Sequence, residues 1–374
     1  MLKAEENRSR GRVFAKVPEW KDAEGLRFPT SLSTEQCSSS PTARYKASLV
    51  RPGSALADLT GGLGVDSWAY AKVCGKVLYN EMNPELHDAV RSNFNILGCS
   101  NVTTSCAKLE PGNIGSILGD FCPDVIFLDP ARRSETGRKV FLLEDCSPDI
   151  LAIKGELLDS APTLMVKVSP MADISMLASR LGSELSEVHA VGSGGECKEL
   201  LLILRRGNSR PWTVTVAECA LEALDTLTFT PEEETAASVA LPPEGVSLEG
   251  AVLFEPGSAL MKSGCYRLLC SRYGLTKCGR FTHLYLCSDV PSELKPFGKA
   301  WRVLEQMSLD KRTMKDAGKR HPHCEVTARN VPFTSDEMRS RMGVSSGGSV
   351  HAFGITLDFA SGTSTRLLLI CVPL

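Results

Sequence analysis

Acidic side chains recur in the sequence at intervals that suit the edge of a nucleotide-binding sheet. Asp58 ends an apolar run and is followed at once by a glycine-rich turn, Thr60-Gly61-Gly62-Leu63-Gly64. Glu81 ends the next apolar run, and a spacing of about twenty residues suits a carboxylate that holds ribose hydroxyls. Asp129-Pro130-Ala131-Arg132 follows a further apolar run. These residues predict a site for a nucleotide-like ligand at the ends of these apolar runs.

Strands that alternate with helical stretches must position these residues. A first strand ends at Asp58, and the later ones are expected at 75–81, 101–106, 124–128, 163–168, 187–191 and 199–204. The alternation predicts an α/β fold whose parallel strands are joined by right-handed crossovers. In such sheets ligands bind at the carboxyl ends of the strands, where all three acids would lie.

The glycines narrow the class of ligand. They do not match G-x-G-x-x-G, and no G-K-[ST] follows them, which weakens the nicotinamide and P-loop interpretations. A tight strand-to-helix turn with no ligand would have a similar sequence, so the turn alone does not decide the function.

Taken in order, the motifs resemble those of the class I S-adenosylmethionine-dependent methyltransferases. The stretch Asp58–Gly64 stands at the family's ligand loop, Glu81 at its ribose-binding acid, and Asp129–Arg132 at its D/N-P-P-x motif. Residues 32–39, 129–133 and 196–200 further resemble a bacterial group of candidate RNA methyltransferases with a C-terminal THUMP-like domain. The resemblance implies a Rossmann-like seven-stranded sheet followed by small α+β domains, ferredoxin-like and THUMP-like.

The resemblance also implies roles for individual residues. S-adenosyl-L-methionine is the implied cofactor, with Glu81 at the ribose, Met82 at the adenine and Asp58 near the amino group. The loop residues implied beneath its methionine part are Thr60, Gly61, Gly62 and Gly64. The implied catalytic residues are Asp129, Pro130 and Arg132, and those expected to contact the substrate are Arg133, Lys167 and Ser169. Arg132 could stack on a base, clamp a phosphate or serve as a structural ion-pair partner, and Lys167 could equally be a structural charge.

Two positions depart from the family pattern. The third strand is followed by Ser105-Cys106-Ala107 with no acid, and the fourth motif position is Arg132 instead of an aromatic residue. Relatives that methylate a pyrimidine carbon need a cysteine nucleophile in the fourth-strand motif or after the fifth strand. Here those places hold Ala131-Arg132 and Ser169-Pro170, so a nitrogen acceptor is expected.

The chain is expected to divide into five segments. These are an N-terminal cap or lead-in (1–46), an S-adenosylmethionine-binding methyltransferase domain (47–206), a linker (207–250), a ferredoxin-like segment (251–296) and a THUMP-like domain (297–374). The role of the segment Glu196-Cys197-Lys198-Glu199 is not explained by the sequence.

Composition limits the remaining possibilities. The 374 residues carry a formal net charge of −2 and 14 cysteines without a C-x-x-C pair, so no metal site is expected. No apolar run could span a bilayer and no signal-peptide core is evident, which predicts a cytoplasmic protein. Between Lys295 and Arg341, eleven Lys or Arg residues face six Asp or Glu, a local excess that could bind the phosphates of RNA.

The expected function is S-adenosylmethionine-dependent transfer of a methyl group to a base nitrogen of structured RNA, such as tRNA or rRNA. Two alternatives stay open. One is a protein that binds the cofactor or RNA without methyl transfer, and the other is a methyltransferase that acts on a protein or small molecule. The sequence does not indicate the oligomeric state.

Overall fold

The structure, a computed structural model, describes residues 2–132 and 143–374, without the side chains of residues 2–6, Arg132 and Asp145. The chain forms two compact units, Met1–Thr228 and Phe229–Leu374. None of the described helices is both long and apolar enough to cross a membrane.

The first unit alternates helices and strands along most of its length. Its helices are α1 Leu2–Lys16, α2 Ser31–Gln36, α3 Ser40–Ser48, α4 Val65–Ala71, α5 Pro84–Ile96, α6 Ile114–Leu118, α7 Ile150–Ser160 and α8 Ile174–Leu181. Its strands are β1 Ala55–Asp58, β2 Lys76–Asn80, β3 Val102–Ser105, β4 Val125–Leu128, β5 Ala131–Arg132, β6 Cys146–Ser147, β7 Thr163–Val168, β8 Leu185–Ser193, β9 Glu196–Arg205, β10 Thr213–Cys219 and β11 Leu224–Phe229.

Nine of these strands form one sheet in the order β11-β10-β8-β9-β7-β4-β1-β2-β3. The strands β7, β4, β1, β2 and β3, in this order in the sheet, pair in parallel with their neighbours. Strand β9 runs antiparallel to both of its neighbours. Asp58 lies in register with Tyr79 on β2 and Phe127 on β4. The predicted α/β fold is therefore confirmed, and the segments that follow β1, β2 and β4 leave the sheet at the same edge.

Alternate residues of the central strands pack on opposite faces of this sheet, as expected for strands buried on both sides. Leu56, Val77 and Phe127 belong to one apolar cluster, which α3, α4 and α5 complete. Ala57, Leu78 and Ile126 belong to the other, which contains residues of α6, α7 and α8. The cores on both faces hold the strands rigid and so fix the positions of the residues at their ends.

The stretch 207–250, predicted as a linker, contains two strands of this sheet, so that prediction is wrong for residues 213–229. β10 pairs in parallel with β8, and β11 lies beside β10 at the sheet's edge. The sequence of β10, Thr213-Val214-Thr215-Val216-Ala217, alternates with the two-residue period of a strand. No helix separates β9, β10 and β11. The alternation of strands and helices therefore ends in this stretch, and that loss suggested a linker.

The N-terminal residues pack into the core of the first unit. Val13, Val17 and Trp20 are fully or almost fully buried in the same cluster as the β-strand residues. The rings of Trp20 and Trp68 of α4 meet edge to face, with their centroids 5.6 Å apart. Helix α3 follows and also lies in this cluster through Ala43 and Tyr45.

The second unit is built on a seven-stranded sheet in the order β13-β14-β12-β15-β18-β17-β16. Its strands are β12 Val252–Pro256, β13 Thr276–Lys277, β14 Tyr285–Cys287, β15 Gly298–Ser308, β16 Glu325–Arg329, β17 His351–Asp358 and β18 Ser364–Pro373. Its helices are α9 Pro231–Ala236, α10 Ser258–Ser263, α11 Leu268–Tyr273, α12 Lys311–Arg320 and α13 Ser335–Met342. All pairs are antiparallel except β16 with β17.

Candidate active site

The glycine-rich turn connects β1 to α4 at the carboxyl edge of the sheet. A Cβ on Gly61 would lie 2.1 Å from the ring of Tyr79, so this position must be glycine for the turn to lie on that ring. Gly62 has a φ of 53°, which disfavours other residues, and a Cβ there would meet no atom within 4 Å. The turn is therefore packed from below, while the backbone of Gly62 faces open space.

Asp58 lies beneath this turn and is only 1% exposed. Its Oδ2 accepts a hydrogen bond of 2.6 Å from the Ser67 hydroxyl, and its Oδ1 accepts one of 3.3 Å from Thr60 N. Burial is the main reason why the pKa of Asp58 rises to about 8. These contacts give Asp58 a role in holding the turn, and the predicted contact with a cofactor amino group stays a prediction.

Glu81 follows β2 and lies against the same turn. Its Oε2 accepts a hydrogen bond of 3.0 Å from Gly62 N, and its Oε1 accepts one of 2.9 Å from Asn83 N. Asn83 caps α5, which begins at Pro84, so the helix start fixes the backbone just after Glu81. Met82, between them, is 60% exposed. The structure thus brings Gly62 and Glu81 into contact, with Met82 next to Glu81 in the chain, and their predicted roles in cofactor binding stay predictions.

Asn80, which the sequence analysis missed, ties this region to the loop after β3. Its side-chain amide donates to Leu59 O (3.0 Å) and Ala107 O (2.9 Å), and its Oδ1 accepts from Ala107 N (3.1 Å). A buried asparagine at the end of an apolar strand is a signal that could have revealed it, because a buried amide needs partners. The loop that lacks the family's acid is therefore held by the side-chain amide of Asn80, through the backbone groups of Ala107.

Asp129 follows β4 and is joined to the glycine-rich turn. Its backbone N–H donates a hydrogen bond of 2.6 Å to Thr60 Oγ1. Its side chain is 37% exposed, and Oδ2 lies 2.5 Å from Lys167 Nζ on β7. Among the residues that the structure describes, no group donates a hydrogen bond to Oδ1. One carboxylate oxygen of Asp129 is thus fixed, and the other is available to a ligand.

Lys167 is the fixed partner of Asp129. Burial alone would lower the pKa of its ammonium group, but the carboxylates of Asp129, Glu199 and Asp66 outweigh burial and raise this pKa above its ordinary value. Lys167 therefore stays charged and can hold Asp129 through a charge-assisted hydrogen bond. Both predicted roles of Lys167, at the site and as a structural charge, are compatible with this position.

Further buried charged side chains of the first unit lie next to Lys167. Glu199 Oε2 lies 3.9 Å from Lys167 Nζ, and Glu199 Oε1 lies 2.7 Å from Lys46 Nζ. Lys46, on α3, is 0% exposed, and its Nζ also lies 3.1 Å from Asp66 Oδ1. We call this series, Asp129–Lys167–Glu199–Lys46–Asp66, the charge chain.

Ser38 completes the polar environment of the charge chain. Its Oγ accepts a hydrogen bond of 2.9 Å from Lys46 Nζ and donates one of 2.8 Å to Asp66 Oδ2. Ser38 and Glu199 belong to segments 32–39 and 196–200, two of the stretches that carry the family resemblance, and the sequence analysis left the role of residues 196–199 unexplained. An acid placed directly before the apolar run Leu200–Leu204 was the available signal for a buried charge.

The remaining predicted residues are distributed as follows. Pro130 is buried next to Asp129. Ser169 lies just after β7, half-buried, and its Oγ accepts a hydrogen bond of 3.2 Å from Met171 N. The backbone of Arg132 pairs with Cys146 between β5 and β6, but its side chain lies outside the described residues, as does Arg133 altogether.

The cysteines near this edge lack the environment of a nucleophile. Cys146 and Cys197 pack against the apolar cluster on one face of the sheet. Burial is the main reason why the pKa of Cys37 is raised, which favours its thiol form over the reactive thiolate. All 14 cysteines are free, and no three His, Cys, Asp or Glu side chains within 2–132 and 143–374 are grouped to hold a metal ion.

One face of helix α12 in the second unit carries part of the excess of basic residues. Met314, Ala317 and Gly318 form the buried face of α12. The opposite face is basic and exposed, and it contains Lys311, Arg312, Lys315 and Lys319. Asp316 pairs with Arg312 (4.0 Å) and Lys319 (3.5 Å), whereas Lys311 and Lys315 have no acidic partner in the described part of the chain.

Family models match two parts of the chain. A ferredoxin-like domain matches residues 253–294, and a THUMP domain-like family matches residues 298–373. Both matches lie within the second unit, on the strands and helices from β12 to β18.

One solved structure is similar along almost the whole chain. It is a candidate methyltransferase from Porphyromonas gingivalis W83, with 28% identity and a TM-score of 0.84, covering 98% of this chain and 88% of that one. The two proteins therefore share their fold over nearly the full length of this chain.

Two further solved structures match only part of the chain. One is a precorrin-6y C5,15-methyltransferase from Geobacter metallireducens GS-15 (14% identity, TM-score 0.31, 49% of this chain and 92% of that one). The other is an rRNA methylase from Streptococcus thermophilus (13% identity, TM-score 0.32, 44% of this chain and 93% of that one). These TM-scores are too low to carry an argument. Among curated proteins, none matches the sequence.

The chain thus carries a large sheet, a ferredoxin-like domain and a THUMP domain-like domain, and along almost its whole length it is similar in structure to a candidate methyltransferase.

Proposed function

We propose that the protein transfers a methyl group from S-adenosyl-L-methionine to a base nitrogen of structured RNA. The observation that carries this proposal is the state of Asp129, whose Oδ2 is held by Lys167 while Oδ1 has no donor among the described residues. The similar protein from P. gingivalis, described as a candidate methyltransferase, supports the reaction class.

The residues at the carboxyl edge of the sheet fit this cofactor. The backbone of Gly62 faces open space, as required of a turn that a ligand approaches closely. Each oxygen of Glu81 accepts one backbone N–H and keeps a second lone pair for a ribose hydroxyl. Met82 exposes its side chain beside Glu81, where an adenine ring would find an apolar surface. We therefore assign these three residues to cofactor binding.

The charge chain also suits a cationic donor. It contains three carboxylates and two ammonium groups, so its formal charges sum to −1. When bound, S-adenosyl-L-methionine supplies a methyl group on a positively charged sulfur, which is already activated for displacement. A net negative environment attracts such a cation.

Asp129 orients the acceptor in this proposal. Oδ1 accepts a hydrogen bond from the target amine, and the carbonyl of Pro130 accepts a second, so that the nitrogen lone pair is held in one direction. The nitrogen loses a proton during transfer, and we assign its acceptance to Asp129 Oδ1. Lys167 keeps the carboxylate in place through Oδ2. The positions where relatives carry a cysteine nucleophile hold Ala131-Arg132 and Ser169-Pro170 in this sequence, which favours nitrogen over a pyrimidine carbon as the acceptor.

The basic face of α12 supports RNA as the substrate. Lys311 and Lys315 are exposed and unpaired within the described residues, so phosphates can bind them without displacing an internal ion pair. The THUMP domain-like match covers this helix. Such a reaction would take place in the cytoplasm, where tRNA and rRNA are found.

The direct test is the variant Asp129→Ala. Transfer of labelled methyl groups to RNA from a strain that lacks the gene should fall by about 100-fold or more, because orientation and proton transfer are both lost. The affinity for S-adenosyl-L-methionine, measured by titration calorimetry, should fall by no more than about tenfold, since Asp129 does not form its ribose contact and is only one of the three carboxylates of the charge chain. Asp120→Asn, an exposed acid of the same unit, is the matched control and should leave both unchanged. Mass spectrometry of nucleosides would then identify the product.

A second candidate function is cofactor and RNA binding without methyl transfer. It is favoured by the close contact of Lys167 with Asp129, which places a positive charge beside the acceptor position. Wild-type protein that binds S-adenosyl-L-methionine and RNA but modifies neither RNA, protein nor small molecules would establish it. If Asp129→Ala lost both cofactor binding and methyl transfer, the role assigned to Asp129 would be contradicted.

A further inference from the structure

Phe281, in the ferredoxin-like segment, is 71% exposed, and no other large apolar side chain of the described residues is more exposed. It lies in the connection between β13 and β14. Thr282 N donates a hydrogen bond of 3.2 Å to Gly279 O, which closes a four-residue turn. Arg280 and Phe281 are its two central residues, so an arginine and an aromatic side chain project next to each other.

The turn is held on both sides by hydrogen bonds to strands β13 and β17. Arg280 N donates to Asp358 Oδ2 (2.6 Å), and the Thr282 hydroxyl donates to Thr356 O (2.6 Å). Lys277, 4% exposed, donates from Nζ to Arg280 O (3.0 Å). Thr282 itself is 0% exposed. The exposed ring of Phe281 is therefore presented on a backbone that has little freedom to fold it away.

A neighbouring residue supports the same turn from a left-handed backbone conformation. Asn330, after β16, has a φ of 56°, and it is the one non-glycine residue with positive φ in the described chain. Asparagine adopts this conformation more readily than most other non-glycine residues. Its carbonyl accepts a hydrogen bond from the hydroxyl of Thr356, the residue whose own carbonyl binds Thr282. Asn330 therefore helps to fix the position of the turn.

The surroundings of the ring are basic. The guanidinium group of Arg280 is exposed and makes no ion pair with any described residue. Lys277 lies beneath the turn, and Arg329 is paired with Glu255 at 3.0 Å. Burial, reinforced by Lys277 and Arg329, lowers the pKa of His283 to about 4, so this neighbour is neutral near pH 7. The carboxylate of Asp358 is directed at the backbone of the turn.

We propose that Arg280 and Phe281 bind a single-stranded stretch of RNA, with an unpaired base stacked on the Phe281 ring and a phosphate paired with Arg280. A flat aromatic face accepts any base, and an adjacent arginine neutralises the backbone, which is how proteins bind single strands. A lone ring beside an unpaired arginine is too small an apolar patch for a protein partner. This inference rests on the proposed RNA substrate and adds a second contact region to the basic face of α12.

The test measures binding of the full chain to a labelled oligouridylate of about twelve nucleotides and to an RNA duplex of the same length, across a range of salt concentrations. Phe281→Ala should weaken binding of the single strand about tenfold, without changing the slope of log K against log salt. Phe281→Trp should retain the affinity, because a larger ring still stacks. Arg280→Gln should reduce the slope by about 0.7, the value for one phosphate of a single strand.

Leu304→Ala, another exposed apolar side chain of the same unit, is the matched control and should leave the affinity unchanged. Equal affinities of Phe281→Ala and Leu304→Ala for the single strand would overturn the inference, while the proposed function could still hold. The inference would also be overturned if Phe281→Ala lost affinity equally for single strand and duplex and if Phe281→Trp did not retain the wild-type affinity, since stacking requires an unpaired base. Wild-type protein that fails to bind the single strand would overturn this inference, whereas the proposed RNA substrate would be contradicted only if tRNA and rRNA were not bound either.

Discussion

Removing the charge of Glu199 should weaken the first unit without altering its surface. Glu199 is 4% exposed and lies 2.7 Å from Lys46, which is 0% exposed. In Glu199→Gln, Lys46 loses the nearest of its two carboxylates while it stays out of reach of water. Breaking a buried ion pair by removing one partner costs about 3–5 kcal/mol. Lys46 keeps Ser38 at 2.9 Å and Asp66 at 3.1 Å, so we expect the lower end, about 3 kcal/mol.

Urea unfolding measures this loss through a signal from the first unit. With a slope of about 3 kcal/mol per molar urea, the midpoint should fall by about 1 M. Glu196→Gln is the matched control, because Glu196 lies on the same strand but pairs with Lys198 at the surface. Its midpoint should equal that of the wild type.

A double-mutant cycle separates the ion pair from other effects of the substitution. Lys46→Met and Glu199→Gln break the same contact, so the double variant should lose less stability than the two single losses added together, by about 1–3 kcal/mol. Strict additivity, or a midpoint of Glu199→Gln equal to that of Glu196→Gln, would refute the view that the charge chain stabilises this unit.

Three further predictions follow from the two sites. Glu81→Gln should weaken S-adenosyl-L-methionine binding about 10- to 100-fold in calorimetry, because a charge-assisted contact to the ribose is lost, whereas exposed Glu85→Gln should not. Asp58 has a pKa of about 8 in the folded protein and about 4 in the unfolded chain, so between those pH values it takes up a proton on folding. Its contribution to stability therefore falls as pH rises through that window. The stability of Asp58→Asn relative to the wild type should therefore increase from pH 5 to pH 8, and a constant difference would contradict the burial of an acid there. The double variant Lys311→Gln with Lys315→Gln should reduce the salt slope of RNA binding by about 1–2, and Lys76→Gln, exposed at the start of β2, should leave it unchanged.

The sequence predicted the parts of the site that depend on neighbouring residues along the chain. Glu81 and Asp129 each follow a short apolar strand, and strands of a parallel sheet end at one edge. Their position at the same edge of the sheet therefore follows from local pattern and from the general topology of α/β folds. The glycine-rich turn is local as well, although the sequence did not indicate that Tyr79 is what requires glycine at position 61.

The parts that were missed depend on contacts between distant segments. Lys46 and Glu199 are 153 positions apart, and no local period links a lysine in a helix to a glutamate in a strand. The two strands β10 and β11 had the right alternation, but their place in the sheet depends on pairing with β8, which local pattern does not specify. Phe281 was passed over because its exposure becomes evident only when the packing of β17 and β13 around its turn is known.

The position of Lys46 determines which fragments of the protein we expect to fold. A fragment that starts at residue 47, the predicted beginning of the methyltransferase domain, would lack both Lys46 and Ser38. Glu199 and Asp66 would then remain as carboxylates inside an apolar interior without the ammonium group that neutralises them. Truncation or domain exchange at that boundary should therefore yield material that aggregates, and a recombinant fragment intended for crystallisation should include the helices from α1 to α3.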